Sequence, residues 1–210
     1  MRVRTWPVAA GIIVIMSAKR KKPPIDKEAT LTRLARAQQN QLLVTVRRWI
    51  PDADRLEGFV VGIGQKWVAL QRLSDRIAFD GWQLIRVKDI QAVSIDPDPD
   101  CFEVKALKAR SLWPPSSPEL SLDDVFGAVD SASAGTAMVS VFDEFDRPDV
   151  CWIGEVVSLD DSKMHLLEVN TRGGWARQPR TFDPADVTRI DFGGGYEEAL
   201  RLVSGSSPAE

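Results

Sequence analysis

Short runs in which apolar residues alternate with polar ones fill most of the first half of the chain. Residues 26–40 place Leu31, Leu34 and Ala35 at helical spacing, with acidic residues early and basic residues later, which predicts an α-helix. From residue 42 onward the apolar period falls to two, which is typical of strands with one buried face. The five predicted strands are Leu42–Ile50, Leu56–Ile63, Trp67–Leu73, Trp82–Val87 and Ile90–Ile95.

The second half repeats this order of elements. Residues 122–132 form a predicted helix with Ser121 as its N-cap and two aspartates in its first turn. A short closing helix is predicted after the last strand of each half, near Phe102 and near Tyr196. The five predicted strands of this half are Ala137–Phe142, Cys151–Leu159, Met164–Val169, Ala176–Phe182 and Val187–Phe192.

The two halves also share residue patterns in register, which indicates an internal repeat. Gly58 and Gly154 occupy the same place in matched apolar strands, where an isolated glycine is typical of a bulge or a sharp bend. Such a bend predicts small barrels, with an ordinary open sheet carrying a bulge as the alternative. The matched segments are 44–46 with 139–141, 56–61 with 152–157, and 89–93 with 186–190.

The repeat divides the chain into a predicted N-terminal extension, two barrels, a linker and a tail. Residues 1–25 carry six basic and no acidic side chains, and Trp6–Met16 is an apolar run of 11 residues, about half of what a bilayer span needs. We expect Met16 to be the true start; a signal peptide or membrane anchor, and a folded extension, are the alternatives. The predicted segments are 1–25, 26–110, 111–119, 120–205 and 206–210.

The first half carries the closer match to a known family. Its second strand contains Leu56-Glu-Gly58-Phe-Val60, and Leu84-Ile85-Arg86 precedes Ile90. With one helix and five short strands, these segments resemble the Sm-like family. The resemblance implies a mainly β fold of two five-stranded, strongly bent antiparallel barrels, each preceded by an α-helix and followed by a short helix. It also implies RNA binding, and assembly by pairing of outer strands.

Most positions that contact bases in the Sm-like family are changed in this chain. Gly64 stands where the family usually has an aspartate, and Val68 stands where it usually has an asparagine. Val87 replaces a usual glycine, so Arg86 is the family's one remaining contact residue in the first half. The second half has Asp183-Pro184 at the equivalent of Arg86-Val87 and keeps none of these residues.

Charge is divided unevenly between the halves, which limits where nucleic acid can bind. Residues 26–113 hold 14 basic and 12 acidic side chains, whereas residues 114–210 hold 7 basic and 18 acidic. Because the second half repels phosphate, any RNA contact is expected on the first half and the basic N-terminal segment. Aromatic rings next to arginines can hold unpaired bases, and the same groups can contact proteins. The candidate contact residues are Arg47, Arg48, Trp49, Arg86, Lys88 and Trp175.

The sequence offers no set of residues that dictates a reaction. Cys101 and Cys151 are far apart and His165 stands alone, so neither a metal site nor a disulfide framework is predicted. No nucleophile lies in a pattern with a base and an orienting group, and no cofactor is predicted. We therefore expect a cytoplasmic, bacterial, non-enzymatic binding or scaffold protein that contacts a protein partner or itself. RNA binding through the first half is the alternative. Readout of DNA sequence is not expected, and membrane contact requires that residues 6–16 be an anchor.

Overall fold

The computed structural model describes residues 26–136, 138–160 and 162–208, and these ranges contain ten strands and four helices. The mainly β class predicted from the sequence is confirmed. The helices are α1 Lys27–Gln39, α2 Phe102–Ala109, α3 Val125–Ala134 and α4 Gly195–Ser204. The strands are β1 Leu43–Arg48, β2 Leu56–Ile63, β3 Trp67–Leu73, β4 Phe79–Arg86, β5 Ile90–Ile95, β6 Val139–Phe142, β7 Cys151–Leu159, β8 Met164–Glu168, β9 Arg180–Phe182 and β10 Arg189–Phe192.

Aspartate side chains start the leading helix of each half. Asp26 caps α1 by accepting a hydrogen bond from the Ala29 N–H at 2.9 Å. Asp124 caps α3 in the same way, with the Gly127 N–H at 2.8 Å. The prediction that Ser121 caps this helix was wrong. The segment around Ser121 runs along the first half, and α3 begins three residues later than expected.

The ten strands form one open antiparallel sheet in the order β5-β1-β2-β3-β4-β10-β6-β7-β8-β9. Two separate closed barrels are therefore not observed. In place of closing back onto β5, the outer strand β4 of the first half pairs with β10 of the second half. This ladder sets Trp82 opposite Phe192 and Ile85 opposite Arg189. Within the part of the chain that the structure describes, β5 and β9 are the edge strands of the sheet.

The matched glycines of the predicted repeat occupy equivalent places in the pairing of the strands. Gly58 faces Arg72 between β2 and β3, and Gly154 faces Glu168 between β7 and β8. A bulge follows each glycine at the same distance, after Val60 in the first half and after Val156 in the second. A Cβ atom at either glycine would overlap a carbonyl oxygen of the neighbouring strand. Glycine is therefore required at both positions for the strands to approach this closely.

Helices cover both faces of each half. On one face of the first half, α1 packs Leu34 and Ala37 against the sheet, and on the other face α2 packs Val104 and Leu107. The second half repeats this arrangement with α3 and α4. One cluster crosses the boundary, because first-half residues such as Trp67 pack with the core of the second half. The halves therefore share a hydrophobic core as well as a sheet.

The predicted linker between the halves lies against the first half. The Ser116 N–H donates to Oε1 of Gln71 at 2.7 Å, and the Trp82 indole N–H donates to the Ser116 carbonyl at 3.0 Å. The Leu122 carbonyl then accepts from the Trp67 N–H at 2.9 Å, beside the start of β3. These contacts fix the path of the chain into the second half.

The N-terminal extension, with its alternative start at Met16 and its apolar run Trp6–Met16, lies outside the described residues. Among the helices of the described ranges, none combines the length and the apolar character needed to span a bilayer.

Candidate binding surface

Arg48, a candidate contact residue, points into the junction between the halves. Its guanidinium is fully buried and forms a bidentate ion pair with Glu144, in which Nη2 lies 2.7 Å from Oε1. Glu144 also accepts from Thr188 Oγ1 at 2.8 Å. Burial alone would raise the pKa of Glu144, but the hydrogen bonds and charge of Arg48, helped by Thr188, lower it below its usual value. Arg48 therefore links the halves and offers no free guanidinium to a ligand.

Arg86 is held in the same junction. Its Nε donates to Asp89, and its Nη1 donates to the Ala185 carbonyl at 2.9 Å. The guanidinium carbon lies 5.6 Å from the centre of the Phe145 ring, on the loop between β6 and β7. The residue that keeps the family's contact position thus connects β4 to two loops of the second half.

Further buried polar groups line the ladder between β4 and β10. Gln83 Nε2 donates to Oδ2 of Asp191 at 3.0 Å, and Arg189 Nε donates to Oδ1 of the same aspartate at 2.7 Å. Arg189 also lies over the Phe142 ring, 4.2 Å from its centre. Asp191 thus accepts from both halves, and the hydrogen bond from Gln83 adds a buried polar contact across the boundary.

The candidate tryptophans are half-buried anchors. The Trp49 backbone N–H donates to the Asp89 carbonyl at 2.7 Å, at the end of β1. Trp175 donates its indole N–H to the Ser204 carbonyl at 3.2 Å and packs with Leu200. Trp175 thereby ties the loop after β8 to α4, and it lies far along the sheet from the candidate arginines.

Two of the candidate residues, Arg47 and Lys88, are exposed beside β5. Arg47 lies opposite Ala92 of β5, and Lys88 is in the turn that leads into that strand. Arg33 of α1 joins them, since its Nη1 donates to the Val93 carbonyl at 3.3 Å. The exposed candidates therefore meet at a free edge of the sheet and give it a basic surrounding.

The backbone groups of β5 that face away from β1 form this edge of the sheet, and one of them, the Val93 carbonyl, accepts from the Arg33 guanidinium. The Asp96 N–H donates to the Leu43 carbonyl at 2.9 Å, so the backbone N–H and C=O groups of residues 92, 94 and 96 face β1. By alternation, the backbone N–H and C=O groups of Val93 and Ile95 point away from β1. Within the described ranges no strand pairs with that side of β5. Its six residues, IQAVSI, contain no charge and no proline. The strand itself thus lacks charge and proline, two of the features that usually prevent strand addition, and its charged groups are the neighbouring Arg33, Arg47 and Lys88.

The opposite edge, β9, does have such features. It is only three residues long, and Pro179 and Pro184 lie on either side of it. Its Arg180 is paired with Glu168 and lies over the Trp152 ring, 5.6 Å from the centre. Short length, charge and flanking prolines each discourage a further strand from adding.

β10 occupies the place in the second half that β5 occupies in the first. Val46 pairs with Val93 of β5, and the matched Val141 pairs with Ile190 of β10. On its other side β10 is covered by β4. Among the described residues, the β10 copy of this edge is therefore paired with a strand and the β5 copy is not. Sequence reasoning missed the β5 edge, although the matched segments 89–93 and 186–190 carried the signal.

Of the positions at which the Sm-like resemblance implies base contacts, Val68 is fully buried and Gly64 is half-buried. A Cβ atom at Gly64 would overlap the Leu122 carbonyl, which lies against the start of β3. The segment that enters the second half thus occupies the space around Gly64.

Within the described ranges no three His, Cys, Asp or Glu side chains are grouped so that they could hold a metal ion. Comparison of the chain with protein-family models, with curated proteins and with solved structures finds no match.

Proposed function

We propose that the chain is a non-enzymatic binding protein, built from two bent Sm-like units, that captures an extended segment of a protein partner at the free edge of β5. The observation that carries this proposal is the pairing of β4 with β10, which is the counterpart of β5 in the second half. An edge that accepts an antiparallel strand in one copy of the repeat is suited to accept one in the other. Backbone hydrogen bonds would supply affinity, and alternate side chains would supply selectivity.

The pairing of β4 with β10 indicates what kind of strand a partner would supply. Residues 82–85 of β4 read Trp-Gln-Leu-Ile, which combines apolar side chains with one amide. Around β5 the exposed Arg33, Arg47 and Lys88 favour a partner with acidic residues beside its strand. A second copy is a poor donor through β9, because Pro179 stands where β4 has Trp82 and only three residues could pair.

The test is a titration of the full chain with a labelled peptide of residues 79–86, the chain's own β4, followed by fluorescence anisotropy. We expect a Kd of about 10–100 µM, a free energy of about −7 to −5.5 kcal/mol, since the strand is short and unstructured when free. Ser94→Lys places a charge on the β5 edge and should abolish binding. Ser158→Lys is the matched control, because Ser158 is equally exposed but lies on the interior strand β7.

A peptide variant and a titration with RNA distinguish capture of a protein strand from binding of RNA. A peptide in which Arg86 is replaced by glutamate should bind more tightly, and this gain should shrink in high salt. Equal binding by the Ser94→Lys and Ser158→Lys chains would contradict the proposal. Absence of peptide binding, together with salt-dependent binding of a short single-stranded RNA, would assign the basic surface to RNA instead.

A further inference from the structure

A polar cavity of about 490 Å³ lies away from the β5 edge, where the start of β2, the end of β3 and the start of α2 meet the ladder between the halves. Gln83 of β4 and Arg189 of β10 are the buried polar residues of its lining. Its rim carries exposed or half-buried charged side chains. The rim residues used below are Asp54, Arg55, Glu57, Arg72, Asp75 and Glu103.

Gln83 has an oxygen atom without a partner. Only 2% of this residue is exposed, and its Nε2 donates to Oδ2 of Asp191. An ionised aspartate accepts hydrogen bonds and donates none, so the amide nitrogen must face Asp191 and the orientation of the side chain is fixed. Oε1 of Gln83 is then left without a donor among the described residues. A buried acceptor in this condition is stabilised by any group that brings it an N–H or O–H.

The charges around the cavity that are not already paired are mainly negative. Arg189 is paired with Asp191, and Arg72 lies 3.2 Å from Asp80. Arg55 is then the one lining cation that forms no ion pair within the described ranges. Four lining carboxylates form no ion pair there, namely Asp54, Glu57, Asp75 and Glu103. The cavity therefore combines an excess of carboxylates with an acceptor that needs a donor.

We propose that this cavity binds an organic cation that carries N–H donors, either a primary ammonium or a guanidinium group. Such a group supplies the hydrogen that Oε1 of Gln83 lacks, and its charge is attracted by the rim carboxylates. A simple metal ion offers no N–H, and an anion would meet the excess negative charge. The cation belongs either to a free polyamine or to an arginine or lysine side chain of a bound protein.

Calorimetric titration of the full chain with spermidine, and with acetyl-Gly-Arg-Gly-amide, tests the site at an ionic strength of about 0.15 M. We expect one site per chain for at least one of these probes. The double variant Glu57→Gln/Asp75→Asn removes two exposed carboxylates and should weaken binding about five- to tenfold. Glu28→Gln, an equally exposed carboxylate on α1 outside the cavity, is the control and should bind like the unaltered chain.

Gln83→Met removes the acceptor at similar volume and should abolish binding. This change also removes the buried hydrogen bond to Asp191 and can therefore unfold the chain. In that case the proposal is tested with the Glu57→Gln/Asp75→Asn variant alone. Tighter binding of spermidine points to a free polyamine, and tighter binding of the tripeptide points to a protein side chain. No binding of either probe at about 10 mM, or equal binding by the rim double variant and the control, would overturn the proposal.

Discussion

Arg48 and Glu144 are 96 residues apart in the chain and form a fully buried bidentate ion pair between the two halves. Arg48 ends the first strand of the first half, and Glu144 follows the first strand of the second half. Because the buried Arg48 guanidinium forms its ion pair with a residue of the other half, the pair fixes how the halves are joined. The shared sheet and the shared core act in the same direction.

Removal of one partner of this pair should be strongly destabilising. Arg48→Met leaves the Glu144 carboxylate buried without its cation, and we expect a loss of about 3–5 kcal/mol in the free energy of unfolding, measured in urea. The double variant Arg48→Met/Glu144→Leu should lose clearly less than the sum of the single changes. Strictly additive losses would contradict the direct coupling of the two side chains.

Glu144 should make the stability of the fold depend on pH. Its pKa is lower in the folded chain than its ordinary value of 4.5, so the ionised carboxylate stabilises the fold fully above that value. This contribution is lost as the pH falls through the lowered folded-state pKa. The urea midpoint should therefore drop in acid, and the Glu144→Gln variant should show a smaller drop. Parallel pH profiles for the two proteins would speak against this role of Glu144.

The two glycines of the repeat should be equally intolerant of a side chain. Gly58→Ala and Gly154→Ala each place a Cβ against a neighbouring carbonyl and should cost about 1–3 kcal/mol in urea unfolding. Gly135→Ala is the control, since no atom lies closer than 4.0 Å to the added Cβ and the backbone is helical there. The control should be neutral or slightly stabilising. A loss at only one of the repeat glycines would weaken the equivalence of the halves.

The halves should not fold stably when they are separated. A fragment of residues 26–113 exposes the edge of β4 and the part of the core that Trp67 and Leu84 share with the second half. A fragment of residues 114–208 exposes β10. We expect cooperative unfolding, followed by near-UV circular dichroism, only after the two fragments are mixed. Cooperative unfolding of either fragment alone would show that the shared core is dispensable.

Local features of the fold could be predicted from the sequence. The strands Leu56–Ile63, Trp67–Leu73, Ile90–Ile95 and Cys151–Leu159 have the predicted bounds, because alternation of apolar residues ends at clear turn residues. The predicted strand Ala176–Phe182 is shorter in the structure, where it covers Arg180–Phe182. Just before it, Trp175 forms an isolated antiparallel bridge with Val169, so the chain there follows a turn and does not extend the strand.

Long-range features could not be predicted in the same way. Arg48 ends a strand in which polar side chains alternate with apolar ones, so the local pattern predicts that it is solvated. Its burial results from Glu144, which only the pairing of β4 with β10 brings near. The same pairing removes Arg86 from the surface and leaves β5 as one of the two edge strands of the described sheet. A register between distant strands is set by tertiary packing, which local periodicity does not encode.

The most direct test of a partner-binding β5 edge is residue-resolved hydrogen exchange by NMR on the full chain, with and without a saturating amount of the β4 peptide. The amides of Val93 and Ile95 point away from β1 and should become protected when the peptide pairs with them. The amides of Ala92 and Ser94 already face β1 and should change little. Unchanged exchange rates of the Val93 and Ile95 amides in the presence of the peptide, or slower exchange at β9 instead, would contradict strand capture at β5.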